Sequence, residues 1–265
     1  MNEGMVEKYV TEKGQQSQII IENTSIEIKD NATLMLAFAG VGLIGPIIAN
    51  TIIDQIEDIK EIGFIVSDNL PPISVFYDGV LKHPFRIYYS ANFNLILGTC
   101  EVPFQMQSAY NDLSKTICNW ALDHNIKANK IISFQGIPTK KMIDEFDIYY
   151  ASQHDSIEDL EQLGASKVQK GIIAGAEASI INEALTNKLE PLIFFTNVYQ
   201  IATPEAAAAI IDLLNDLYSL NIDTSKLIEQ GKEIKSQMLE LAEKAKQYQK
   251  KQMEDKRGET PQFYQ

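Results

Sequence analysis

The pattern Gly40-Val41-Gly42-Leu43-Ile44-Gly45 has the spacing of a turn that can cradle a phosphate. In a G-x-G-x-x-G turn between a strand and a helix, the absent side chains let the main chain approach a pyrophosphate. That group rests on the helix N-terminus. The chemistry would be dinucleotide binding, as in an NAD(P)-dependent oxidoreductase. It also asks for an acidic residue about 20 positions further on to hold the ribose. Asp68 is placed to serve. Two features weigh the other way: Pro46 removes a main-chain donor near the helix start, and no hydride-transfer pair follows. The same residues fit a tight strand-to-helix crossover packed through its glycines. A P-loop is excluded, because Pro46-Ile47 stands where Lys and Ser/Thr belong.

Other chemistry is sparse. His83, His124 and His154 form neither an H-E-x-x-H motif nor a Cys/His cluster, so a zinc site is not expected. No G-x-S-x-G elbow occurs. Asp144, Glu145 and Asp147 group before Tyr149-Tyr150, but an acidic protein scatters such groups over its solvated surface. Cys100 and Cys118 are too few for a disulfide scaffold and read as packed thiols in a reducing compartment. No catalytic residue, metal or cofactor is therefore expected.

Phe263-Tyr264-Gln265 is different in kind: two aromatics and a free carboxylate close a polar ending. Nothing nearby in the sequence can bury those rings, which points to a partner. The charge balance narrows the partner. With 23 Lys+Arg against 36 Asp+Glu the net charge is −13, which disfavours nucleic acid and anionic lipid. Residues 230–257 nevertheless hold eight Lys+Arg against five Asp+Glu, a net +3 that leaves the rest at −16.

The elements that must position these residues follow from hydrophobic periodicity. No charge lies between Asp30 and Asp54, a run as long as the about 20 apolar residues of a membrane span. Gly40, Gly42, Gly45 and Pro46 divide it, however, and basic anchors are missing. It reads as a buried strand from Ala32 to Ala39 and a buried helix from about Leu43 to Ile56. Two isoleucine-rich runs within Gln18–Lys29 suggest a strand pair around Asn23-Thr24-Ser25. Strands are expected at Glu61–Ser67, Asn92–Gly98, Lys130–Gln135, Asp147–Ala151 and Pro191–Phe195. Antiparallel strands Ile73–Tyr77 and Phe85–Tyr89 flank Asp78-Gly79 at a distance too long for a two-residue hairpin.

Helices are expected over Gln105–Asn125, with Leu113, Ile117, Trp120 and Ala121 on one face, over Ile157–Leu163, and up to about Asn187. A further helix starts with Thr203 as N-cap and Pro204 at its first position and runs through Tyr218. Strands alternating with helices imply an α/β domain with a mixed, largely parallel sheet, here residues 1–222. From Asp223, Leu227, Ile234, Met238, Leu241, Ala245 and Tyr248 recur at heptad-like spacings. A helical extension is expected over 223–257, and one long helix carrying this seam could reach roughly 45 Å at 1.5 Å per residue. It either packs on its own domain or self-associates. Gly258 and Pro261 then open a flexible ending, 258–265.

In this order, the glycine turn, Pro71-Pro72, Asp78-Gly79, Pro84 and Gly171-Ile172-Ile173-Ala174-Gly175 resemble the proteasome assembly chaperone 2 family. Most specific are Thr203-Pro204-Glu205-Ala206-Ala207-Ala208-Ala209 and Leu220-Asn221-Ile222-Asp223-Thr224. The resemblance covers about Ala32 to Lys244. One departure is Glu177-Ala178, where the family's helix start is usually richer in glycine. The resemblance implies a three-layer α/β/α sandwich with a long C-terminal helical extension, generally non-enzymatic and usually a homo-oligomer; the cytoplasm is expected because Met1–Lys13 lacks the basic-then-apolar pattern of a signal peptide. It also implies a partner: archaeal relatives act on the proteasome through C-termini ending in a hydrophobic residue, Tyr and any residue. Phe263-Tyr264-Gln265 matches that ending, which would insert between neighbouring α-subunits of the proteasome core particle.

Overall fold

Strand β3 (Thr33–Phe38) explains the long uncharged run, because both of its faces are covered. Leu34, Leu36 and Phe38 point into one hydrophobic core, while Met35 and Ala37 point into the other. A strand buried on both sides loses the polar alternation of a half-exposed one. The structure, a computed structural model, describes residues 7–9, 16–104, 107–123, 126, 128–143, 145–153 and 158–239.

A ten-stranded sheet is built around β3. After β3 come helix α1 (Ile44–Gln55), strand β4 (Lys60–Ser67), the hairpin β5 (Val75–Tyr77) and β6 (Val80–Lys82), then β7 (Phe85–Ser90) and β8 (Leu95–Cys100). Helix α2 (Gln107–Ala121), strands β9 (Lys130–Pro138) and β10 (Ile148–Ser152), the short helix α3 (Glu158–Gln162) and strand β11 (Ser166–Lys167) follow. Helix α4 (Ala176–Thr186), strand β12 (Glu190–Val198) and helix α5 (Pro204–Tyr218) complete the domain. With β1 (Glu7–Tyr9) and β2 (Ser17–Ile21), the strand order is β1-β2-β4-β7-β8-β3-β9-β12-β10-β11.

The centre, β8-β3-β9-β12, is parallel. The joints from β1 to β8 and the β12–β10 joint are antiparallel, so the sheet is mixed. Its outermost strands are stubs of three and two residues.

Helices cover both faces and make the three-layer sandwich. Ile48 and Ile52 of α1 pack with Ile210, Ile211 and Leu214 of α5 over Met35, Leu97, Phe134 and Phe194. Leu113, Ile117 and Trp120 of α2 pack with Ile180 and Ala184 of α4 over Leu34, Leu36, Ile96 and Ile131. A helix over residues 225–239 follows α5. Its Leu227 joins the α1–α5 core, and Lys235 Nζ donates to the Ile143 carbonyl at 2.9 Å. Gly231 lies against Glu205, at a point where a side chain would overlap that carboxylate. The start of the heptad-like seam is thus used for packing on its own domain. Leu241, Ala245 and Tyr248 lie outside the described residues. No described helix is long and apolar enough to cross a membrane.

Two expectations are corrected and a third is refined. Asp78-Gly79 is the loop of a two-residue hairpin, because Val80–Lys82 forms a strand with Tyr77 opposite Val80. Both loop residues take positive φ, 50° and 78°, the twist that a tight hairpin needs. The second isoleucine run is no strand. The Lys29 main-chain N–H donates to the Tyr89 hydroxyl instead, and Ile26 and Ile28 pack against the α2–α4 core. Thr203 is the N-cap residue of α5, as expected, but its side chain makes no capping bond: its Oγ1 accepts from Tyr199 N–H and donates to the Ile201 carbonyl.

Cys100 and Cys118 are both buried, and loss of solvent pushes each thiol up to about 12. Thiolate is therefore scarce at neutral pH. We expect neither thiol to react with a chromogenic disulfide reagent at pH 8 in the native protein, and both to react in denaturant.

Candidate functional site at the carboxyl edge of the sheet

The parallel neighbours β3 and β8 send their connections to opposite faces: β3 leads into α1 on one side and β8 into α2 on the other. A switch of this kind leaves a crevice outside the carboxyl ends of the strands, the usual ligand position in open α/β sheets. Two hollows flank the Gly40–Gly45 turn there. One, of about 200 Å³, lies between the ends of β3 and β9, the Pro103–Phe104 segment and the start of α4. The other, of about 660 Å³, is a wider groove lined by Val41, Leu43, Glu101, Pro103, Pro138 and Ile201.

The three glycines of the turn have different reasons to be glycine. Gly42 takes φ 76°, and a Cβ there would sit 2.6 Å from that of Val198. At Gly45 a Cβ would meet the Phe38 carbonyl oxygen at 2.6 Å, so α1 can approach β3 only without it. The turn is further tied by Thr203 N–H donating to the Gly42 carbonyl at 3.0 Å. These features fit the crossover reading. Gly40 has φ −127°, which any residue adopts, and its nearest neighbour would be Glu177 Oε1 at 3.7 Å.

Asp68 is exposed at the end of β4, with β7 and β8 between it and β3. Three strand spacings separate it from the turn, about 14 Å. In a dinucleotide fold the acidic residue ends the strand beside the glycine turn. The structure does not bring Gly40, Gly42 and Gly45 together with Asp68.

Glu177 is a site residue that sequence reasoning misses. It lies in the first turn of α4, is only 6% exposed, and lines the smaller hollow. Burial raises its carboxyl to about 7, opposed only by a hydrogen bond from its own main-chain N–H. The signals in the sequence are a lone acid among small apolar residues, Ala176-Glu177-Ala178, and the departure at Glu177-Ala178 from a glycine-richer helix start.

The wider groove is bounded by a charged cluster. Arg86, 1% exposed, donates to both oxygens of Glu101 at 2.9 and 3.3 Å and to the Tyr88 hydroxyl at 2.8 Å. Its guanidinium lies 5.0 Å from the Tyr77 ring centre, and the Tyr77 hydroxyl donates to Glu101. Burial would raise the Glu101 carboxyl, but Arg86, Tyr77 and Asn50 outweigh it and hold the group below its ordinary range. The cluster fastens the β5–β6 hairpin to the sheet and leaves Phe76 and Leu81 70% and 76% exposed.

Glu145 and Asp147 are exposed, Asp144 lies outside the described residues, and His83 stacks on Phe64 at 3.7 Å. His124 and His154 lie outside the described residues, as do Phe263, Tyr264 and Gln265. Among the described residues no group of His, Cys, Asp and Glu is arranged to hold a metal.

An α/β/α sandwich with a glycine-packed crossover at its centre defines the class of fold. The model of the PAC2 family matches residues 34–242, and the chain belongs to that family. The chain is similar to PbaA of Pyrococcus furiosus, described as an archaeal homolog of proteasome-assembly chaperone. The identity is 24% and the TM-score 0.74, covering 91% of this chain and 97% of that one. PbaB of Pyrococcus furiosus, an archaeal proteasome activator, has the same fold at 16% identity and TM-score 0.74, covering 86% and 99%. An uncharacterized protein of Methanocaldococcus jannaschii is 25% identical over 230 residues, covering 86% of this chain and 92% of its own.

Two measurements check this site. Gly45→Ala should lower stability by about 1–3 kcal/mol, the cost of overpacking against fixed backbone, as read from urea midpoints. Glu177 is protonated in the folded protein up to about pH 7 and ionises near 4.5 once unfolded, so between these values the folded state binds more protons. Its contribution is full below about 4.5 and is lost as pH rises through 7, an effect of about 3 kcal/mol. Glu177→Gln should therefore gain stability relative to wild type on going from pH 5 to pH 8.

Proposed function

We propose that this chain is a non-enzymatic proteasome assembly chaperone or activator that docks its C-terminus on the proteasome core particle. The observation that carries the reading is the PAC2 family match over residues 34–242, joined to the ending Phe263-Tyr264-Gln265. The descriptions of PbaA and PbaB as a proteasome-assembly chaperone homolog and a proteasome activator support it. Phe263 fills an apolar slot between two α-subunits of the core ring. Tyr264 combines ring burial with a hydroxyl hydrogen bond, and the Gln265 carboxylate pairs with a basic side chain.

Burying one phenyl ring contributes only about 1.5–3 kcal/mol, so a single ending binds weakly. A homo-oligomer presents several endings at once, and effective concentration then supplies the affinity. The helical extension 223–257 and the segment 258–265 give each ending reach from the domain 1–222. The cytoplasm is the compartment in which such a partner and two reduced thiols are met together.

Deleting Phe263–Gln265 should abolish retention on immobilised proteasome core particles while circular dichroism and oligomeric state stay unchanged. Undiminished retention of the truncated protein would overturn the docking mechanism.

A further inference from the structure

Gly40 is the glycine of the turn that neither packing nor backbone conformation requires. At Gly42 and Gly45 a side chain would collide with Val198 or with the Phe38 backbone, whereas at Gly40 it would enter the smaller hollow and face Glu177 Oε1. The missing side chain keeps a space open in front of a buried carboxyl group. Opposite, Gly175 takes φ 95°, and a Cβ there would crowd Glu177 Oε2 at 3.3 Å. The carboxyl is thus walled by two glycines, with no described side chain bonded to it.

The rest of the hollow has a definite chemistry. Phe38, Phe104 and Tyr110 form an edge-to-face aromatic group, with centroids 6.4 Å apart for Phe38–Phe104 and 5.4 Å for Phe104–Tyr110. Phe134 closes another side, and Gln135 Nε2 is engaged with the Ala174 carbonyl at 3.0 Å. No Lys or Arg is among the described residues that line it. A buried carboxylate without a cationic partner is costly, and an unpaired one stays protonated in preference. Aromatic faces attract a cation within about 6 Å.

We propose that this hollow is a binding site for a small primary amine, whose ammonium group pairs with Glu177 while its apolar part lies against Phe38, Phe104 and Tyr110. The volume of about 200 Å³ matches roughly seven waters of liquid at ~30 Å³ each, which sets the ligand at about seven to ten non-hydrogen atoms. The assignment rests on the cavity alone and is independent of the C-terminal ending. Occupancy restores the missing partner of Glu177, so the amine binds the folded chain and raises its melting temperature.

The test uses the full chain at pH 8 with benzylamine as probe and benzyl alcohol, its uncharged counterpart, as control. Calorimetric titration and thermal melts should show benzylamine binding and stabilising, with affinity at least tenfold above that of the alcohol. Glu177→Gln removes the charge and Gly40→Leu fills the space; each should cut benzylamine affinity at least tenfold. Gly40→Leu adds its side chain where the backbone tolerates one, so it carries the test should Glu177→Gln fail to fold. Equal affinity for amine and alcohol, absence of benzylamine binding to the wild-type chain, or undiminished affinity in a folded variant would overturn the assignment.

Discussion

Val198 occupies the volume in which two glycines would otherwise carry side chains. A Cβ at Gly42 would lie 2.6 Å from its Cβ, and one at Gly136 would lie 2.6 Å from its Cγ2. That contact locks the end of β12 to the turn after β3 and to β9, and Thr203 adds a main-chain bond to Gly42. Interiors packed at crystal-like density tolerate little change in such places. The turn so fixed has a hollow on either side and the start of α5 beside it, while the entry of α1 depends on Gly45 against the Phe38 carbonyl. The glycine pattern that resembles a nucleotide cradle is thus, at Gly42 and Gly45, the signature of chain packed on chain.

The edge also sorts its carboxyl groups by the partners available. Glu101 is half-buried but surrounded by Arg86, Tyr77 and Asn50, and it stays charged below its ordinary range. Glu177 is more deeply buried, has only its own N–H, and holds its proton to about pH 7. The two lie on opposite sides of the same turn, in different hollows. A charge that is paired serves to hold the hairpin in place, whereas the one left unpaired has capacity for a partner.

Much of the scaffold is legible in the sequence where a single physical cause dominates. The strand expected at Ala32–Ala39 is Thr33–Phe38, because two-sided burial demands an unbroken apolar run. The helix from Pro204 to Tyr218 is marked by a proline that only a first turn accepts. Legibility fails where tertiary contacts decide. Val80–Lys82 is short and mostly exposed, and tertiary contacts hold it: Tyr77 is pinned by Arg86 and Glu101, and Lys82 pairs with Glu61 at 2.6 Å. Thr203 looks like a cap in sequence, yet the loop from Tyr199 claims its hydroxyl. Glu177 carries no spacing signature at all. Its character comes from Gly40 and Gly175, which lie far apart in sequence and meet only in the fold.

The stubs at the margins of the sheet bear on how the domain can join other molecules. Among the described residues, β1 and β11 span three and two residues. Such short margins offer an incoming chain few free main-chain groups, which discourages growth of the sheet by strand addition. Side chains on its helices, loops or hairpin then offer the better route to assembly. The geometry of assembly is accordingly written in the surface residues, where substitution can alter partnership while the ten-stranded layer beneath stays as it is.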